Sequence, residues 1–154
     1  MMMDETTVSL RTAAGDAVTD LVLEVFRLNG ALLAAGDAMT RDLGLTSARW
    51  QVLGALEQTP MTVSQVAREM GLTRQSVQRL ANELVADGLL AQSDNPQHKR
   101  APLLQLTALG RRRLATVNAR QAGWADALAA AVPAAEIHTA TTALQALRGH
   151  VNRT

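Results

Sequence analysis

The sequence predicts a mainly α-helical protein interrupted by one small β-hairpin, on three observations. Aromatic residues make up only 2% of the 154 residues, with one Phe and no Tyr. A core must therefore be assembled from Leu, Val, Ala and Met, and Ala is the strongest helix former. Towards both ends of the chain, apolar residues recur in alternating steps of three and four, the spacing that lines one face of a helix. A single stretch near residues 89–107 breaks that period and places an Asn-Pro turn signal between two short extended runs.

The first helix is expected over roughly residues 14–42, where Val18, Leu21, Val25, Leu28, Leu32, Ala35 and Met39 form the stripe. Such a stripe either faces the chain's own core or forms a subunit interface. Thr46 is expected to cap a second helix running through Leu56, with Trp50, Leu53 and Leu56 on its buried face. Thr62 and Gln65 read as a capping box that starts a third helix ending near Met70, and Gly71 stops it. Thr73 caps a fourth helix to about Asp87, closed by Gly88. Leu89 to Ser93 and Pro102 to Thr107 are the hairpin strands, flanking a polar tip from Asp94 to Arg100. Thr107 caps a fifth helix carrying Leu114, Val117, Trp124 and Leu128 on one face. Pro133 separates it from a last helix with Ile137, Ala140, Leu144, Leu147 and Val151. Residues 1–13 read as a flexible N-terminus.

Hydrophobic residues at 47% and charged residues at 19% are globular proportions, so the chain buries enough apolar surface to fold. No run of about 18 apolar residues marks a membrane span, and the opening Met-Met-Met-Asp-Glu-Thr-Thr lacks a signal peptide's cationic and apolar regions. The expectation is a cytoplasmic protein with no membrane partner. The absence of Cys excludes disulfides, thiolate metal ligands, Cys nucleophiles and thiol-based redox sensing.

The net charge of +1 hides an uneven distribution. Residues 1–67 hold four Arg against eight acids, residues 68–113 hold eight Lys and Arg against four acids, and the remainder three against two. A basic stripe on an otherwise acidic chain suits phosphate binding, although charge clusters also occur as plain solvated surface.

Within Gln65 to Leu84, Ala67 stands four residues before Gly71, and Val77 six after it. The spacing describes a helix-turn-helix. Ala67 must be small where the helices cross, Gly71 must adopt a turn conformation costly for other residues, and Val77 with Leu80 anchors the second helix. A packed helix pair without a nucleic-acid role meets the same rules, so the exposed residues decide. Arg74, Gln75, Ser76, Gln78, Arg79 and Asn82 carry the hydrogen-bonding groups a base-reading helix needs: Arg suits guanine, Gln and Asn suit adenine, and Ser suits phosphate or either base. The alternative role for Arg79 is an ion pair with Glu83, one turn on. His98, Lys99 and Arg100 sit at the hairpin tip, where a wing reaches the minor groove; Arg100 could also pair with Asp94 to stiffen the turn, the role preferred for Asp94. Arg111, Arg112 and Arg113 occupy the first turn of the fifth helix, where the helix dipole disfavours cations by about 0.3–1 kcal/mol each. A nearby phosphate explains that placement; solvated arginines are the alternative.

These residues resemble the multiple-antibiotic-resistance regulator (MarR) family: Leu45, Thr46, Arg49, Trp50, Val52 and Leu53 before the helix-turn-helix, the wing from Asp94 to Arg100, then Leu106, Thr107 and Gly110. The resemblance covers roughly residues 14–150. It implies a winged helix-turn-helix spanning 45–107, with N- and C-terminal dimerisation helices over 14–42 and 108–151. It further implies a homodimer whose two recognition helices enter successive major grooves of a palindromic operator in double-stranded DNA, about 34 Å apart. A small aromatic or lipophilic effector, in a crevice between the dimer helices and the winged domain, would shift the balance of DNA-competent arrangements. Repression is the expected output. Where many members carry a second wing Asp and Arg, this chain has Gln97, His98 and Lys99.

Members that sense zinc use His and acidic clusters, whereas His98, His138 and His150 are scattered, so no metal or required cofactor is expected. An enzyme is disfavoured too: there is no Cys, no His beside paired carboxylates and no Gly-rich phosphate loop after a strand. The remaining competitor is a winged-helix module used for protein contact. On the DNA-binding reading, Gln75, Gln78 and Arg74 read base edges, and Ser76, Arg79, Lys99, Arg100 and Arg111 mainly hold phosphates.

Overall fold

Thr12 Oγ1 accepts a hydrogen bond from Gly15 N at 3.0 Å and caps helix α1, Ala13–Thr40. The structure, a computed structural model, describes residues 10–154, so most of the segment expected to be flexible, residues 1–9, lies outside the described residues. The helix ends two residues earlier than expected because the chain tightens into a 3-10 turn, Arg41–Leu43, closed by Gly44 N on Arg41 O at 3.1 Å. The buried Thr40 hydroxyl donates back to Gly36 O at 2.8 Å and lies 3.1 Å from Leu45 O.

The α1 stripe is not absorbed by the chain's own core. Val18, Val25, Leu28 and Leu32 are exposed, as are Val22, Leu23, Phe26 and Leu33, and only Gly36 and Thr40 of this helix are buried. Asp37 Oδ1 accepts from Ser47 N at 2.7 Å, and Ser47 Oγ donates to Leu33 O at 2.7 Å. The first amide of helix α2, Ser47–Ala55, is thus satisfied by a carboxylate, which also suits the positive end of the helix dipole. Gly36 is required beneath this contact, because a Cβ there would run into Ser47 Oγ. The chain divides into two compact units, one ending at Ala48 and the other spanning Arg49–Thr154.

The second unit contains most of α2, helix α3 (Val63–Met70), helix α4 (Arg74–Ala86), strands β1 (Leu90–Ser93) and β2 (Leu103–Leu106), helix α5 (Ala108–Ala129) and helix α6 (Ala134–Val151). Its core comprises Val52 and Leu53 of α2 with Leu56 just beyond it, Val66 and Ala67 of α3, Val77, Leu80, Ala81 and Leu84 of α4, four hairpin leucines (Leu89, Leu90, Leu104, Leu106), and Leu114 and Val117 of α5. Each buried Leu or Val stabilises the fold by about 1.5–3 kcal/mol. Trp50, expected in this core, is only half-buried. Its indole N–H needs a partner, and Nε1 donates to Asn118 Oδ1 at 3.4 Å while Asn118 Nδ2 donates to Glu57 Oε1 at 3.2 Å.

β1 and β2 pair antiparallel with Leu90 opposite Leu106 and Ser93 opposite Leu103. Each strand is shorter than expected because its ends serve neighbouring helices: Leu89 N bonds Leu84 O at 2.9 Å, and Thr107 caps α5. A third partner was not legible in the sequence. Met61 pairs with Leu104 through both backbone groups, at 3.2 and 2.8 Å, and ties the start of α3 to the hairpin. On α5, Leu114 and Val117 are buried but Leu128 is exposed. No residue of α6 is buried, leaving Ile137, Leu144 and Val151 open to solvent.

Candidate nucleic-acid interface

The sequence between Thr62 and Asp87 places two helices at a sharp turn. Thr62 Oγ1 accepts from Gln65 N at 3.2 Å while Thr62 N donates to Gln65 Oε1 at 2.8 Å, the reciprocal capping box the sequence predicts. Gly71 closes α3 at φ 66°, a conformation that costs other residues about 1–2 kcal/mol. Its N–H and that of Leu72 both reach Ala67 O. Thr73 Oγ1 accepts from Ser76 N at 3.1 Å and starts α4. Val77, Leu80, Ala81 and Leu84 bury one face of α4, so Arg74, Gln75, Gln78, Arg79 and Asn82 are held on the solvent side.

Arg74, Gln75 and Gln78 of α4 meet Arg100, Ala101 and Pro102 of the hairpin and Thr62, Val63 and Ser64 of α3 around an open groove of about 430 Å³. Two guanidinium groups, two side-chain amides and two hydroxyls line it, an arrangement of donors suited to anionic oxygens and base edges. Of the expected residues, the groove unites Arg74, Gln75, Gln78 and Arg100. Ser76, Arg79, Asn82, His98, Lys99 and Arg111 do not line it. Thr62 and Ser64 were missed as site residues. The capping box located their helix end, but only the Met61–Leu104 pairing brings that end to the hairpin.

Several expected contacts are already engaged within the chain. The Ser76 hydroxyl accepts from Thr73 Oγ1 at 2.9 Å, and Gln78 Nε2 donates to Asn82 Oδ1 at 2.9 Å. Arg79 Nη1 donates to Glu83 Oε1 at 3.0 Å, the ion pair foreseen as its alternative role. Glu83 is shared: Arg49 Nη2 holds its Oε2 at 2.9 Å, and Arg49 Nη1 reaches Asp87 Oδ2 at 3.3 Å. The hydrogen bond from Arg49 holds the Glu83 carboxyl below its ordinary pKa, with Arg79 adding to the effect and some desolvation opposing it.

The hairpin tip departs from expectation. Among the described residues no ion pair joins Asp94 to Arg100. Asn95 closes the turn instead: its Oδ1 accepts from Gln97 N at 3.1 Å, and its Nδ2 donates to Ala101 O at 3.0 Å. An Asn can cap both sides of a tight turn with one amide, so no charge pair is needed, and His98, Lys99 and Arg100 remain exposed. Arg111 and Arg112 are exposed in the opening turns of α5, behind the Thr107 cap.

A helix-turn-helix followed by a two-stranded wing, placed between a long N-terminal helix and two C-terminal helices, defines the class of winged-helix transcription regulators. The MarR family model matches residues 43–101. An uncharacterized protein of Mycobacterium tuberculosis is 42% identical over 138 residues, covering 90% of this chain and 92% of that protein. Solved structures share the fold. A MarR/EmrR family transcriptional regulator from Acinetobacter superposes with a TM-score of 0.79 at 18% identity, over 88% of this chain and 97% of its own. CouR from Rhodococcus jostii, in a structure bound to p-coumaroyl-CoA, gives 0.74 at 24% identity over 83% and 91%. The chain thus matches the MarR family model over its helix-turn-helix and wing and shares the fold of solved MarR-family regulators. Among the described residues, no helix is long and apolar enough to cross a membrane.

Proposed function

We propose that this regulator is a cytoplasmic, ligand-responsive repressor that binds an inverted-repeat operator in duplex DNA as a homodimer and catalyses no reaction. The observation that carries the reading is the groove in which Arg74, Gln75 and Gln78 converge with Arg100 at the wing root. Gln75, Gln78 and Arg74 read base edges in the major groove. Ser76, Arg79, Lys99, Arg100 and Arg111 hold phosphates, His98 accompanies the wing, and Asn82 lies one turn beyond Gln78. The winged region is 45–107, and the helical stretches 14–42 and 108–151 supply the dimer contacts. Exposed apolar residues on α1 and α6, among them Phe26, Leu28, Ile137 and Val151, support that division.

The effector is a small aromatic or lipophilic molecule, a class supported by the p-coumaroyl-CoA bound to CouR. It acts by favouring one arrangement of the dimer over another, which requires a difference in its affinity for the two.

Selection of bound sequences from a random duplex library, at about 0.15 M salt because affinity depends steeply on counterions, tests the reading. Enrichment of an inverted repeat with half-sites about one helical turn apart is the expected result. An unenriched pool would favour a winged helix used for protein contact.

A further inference from the structure

The recognition helix and its C-cap carry two cations, Arg74 and Arg79, and two anions, Glu83 and Asp87, so on their own they have no net charge to offer DNA. Arg49, from the first turn of α2, changes that balance. Its guanidinium takes Glu83 Oε2 through Nη2 at 2.9 Å and Nε at 3.3 Å, and Asp87 Oδ2 through Nη1 at 3.3 Å. Both acids of the segment are thus bound by one cation from another helix. The Arg49 side chain is largely covered, at 23% exposure, whereas Arg79 on the far side of Glu83 is 64% exposed. Glu83 therefore divides its two oxygens between a largely covered partner and an exposed one.

We infer that Arg49 is a positioning residue for DNA binding: its one positive charge, shared between Glu83 and Asp87, offsets half of theirs and weakens the hold of Glu83 on Arg79, so that Arg79 can leave for a phosphate. This rests on the DNA-binding reading of α4. Without Arg49, the whole charge of Glu83 falls on Arg79, and Asp87 loses its ion-pair partner at the end of the helix that would approach the phosphate backbone. A carboxylate beside the duplex repels it, and an Arg held by that carboxylate releases no counterions on binding.

The test is a mutant cycle on full-length protein, with binding to the selected operator measured across a salt series. Arg49→Gln is expected to weaken binding to operator and random duplex alike, by about two- to fivefold at moderate salt, as for the loss of an exposed charge pair. The slope of log K against log salt should become shallower by about 1. In a Glu83→Gln/Asp87→Asn background the same Arg49→Gln change should alter affinity less than about twofold. Circular dichroism and thermal melting establish that each variant is folded; should Arg49→Gln alone fail to fold, Glu83→Gln/Asp87→Asn alone must bind at least as tightly as wild type. Equal losses in both backgrounds would mean that Arg49 touches DNA directly, and no loss in either that it is irrelevant to binding; both overturn the inference. If the wild-type protein selects no DNA at all, the DNA-binding reading itself falls, a result separable from any difference among variants.

Discussion

Gly110 on α5 lies directly against the carbonyl of Leu89, so close that a Cβ at this position would overlap the oxygen. The same carbonyl accepts from Thr107 N at 3.1 Å, and Thr107 Oγ1 donates to Gly88 O at 2.7 Å while accepting from Gly110 N at 3.0 Å. Gly88, at φ 75°, ends the recognition helix. The Leu-Thr-x-x-Gly segment that resembles the family thus has a physical basis: it clamps the start of α5 onto the end of α4. Gly110→Ala is expected to destabilise the protein by about 1–3 kcal/mol, the range for overpacking. Gly123→Ala in the open interior of the same helix, where a Cβ meets nothing within 4 Å, should stabilise by up to about 1 kcal/mol. Urea unfolding of the two variants measures both; a neutral Gly110→Ala would show that α5 moves freely relative to Leu89.

Acid should release the Glu83 contribution to stability. Its pKa is lowered in the folded protein, first by the hydrogen bond from Arg49, so the stabilisation is complete above the unfolded carboxyl value of about 4.3 and is lost as pH falls through the lower folded value. The stability gap between wild type and Glu83→Gln should therefore be constant from about pH 7 to pH 5 and narrow below it. Unfolding curves at stepped pH provide the check, and a gap that persists undiminished at strongly acidic pH would contradict the assignment.

The helices, caps and turn were legible because each rests on local chemistry: the Thr62–Gln65 box, the Thr73 and Thr107 caps, and Gly71 and Gly88 all appear where the residues place them. Long-range pairing was not legible. Nothing near Met61 announces Leu104 as its partner, and nothing near Arg49 announces Glu83 and Asp87, 34 and 38 residues on. The Asp94–Arg100 expectation failed for a related reason: charge complementarity across a turn is a weak guide when Asn95 satisfies the same backbone at lower desolvation cost. At the interface, the half of α4 that faces solvent was readable from its buried stripe, whereas the hydroxyls of Thr62 and Ser64 entered only through the fold.

Subunit association is expected to depend on the apolar face that α1 leaves uncovered. Phe26 is 69% exposed and Leu28 55%, an unfavourable state for large apolar groups clustered on one helix. Replacing Leu28 or Phe26 by Glu should weaken the dimer roughly tenfold or more, the loss typical of an interface anchor, while leaving helix content intact. Sedimentation equilibrium would register the shift, and operator affinity should fall with it because two half-sites are no longer engaged together. Wild-type protein that sediments as a monomer at all concentrations would refute the homodimer.

Base reading and phosphate holding make opposite demands on specificity, and neighbouring residues of α4 separate them. Gln78 gives one Nε2 proton to Asn82 Oδ1 at 2.9 Å, which leaves it one N–H and its carbonyl oxygen, the pair that matches the N7 acceptor and N6 donor of adenine. It lines the groove beside Arg74 and Gln75, the face that the proposed DNA-binding function turns to the duplex. Arg79 pairs with Glu83 on the same exposed side and off the groove, and the proposed function gives it the phosphate backbone instead. Gln78→Ala is therefore expected to cost about 1–3 kcal/mol at one operator base pair in each half-site and little on random DNA. Arg79→Ala should weaken every sequence by a similar factor and flatten the salt dependence by about one ion. Competition binding with single-base operator variants distinguishes the two, and a Gln78→Ala protein weakened equally on all sequences would move Gln78 to the phosphate-holding set.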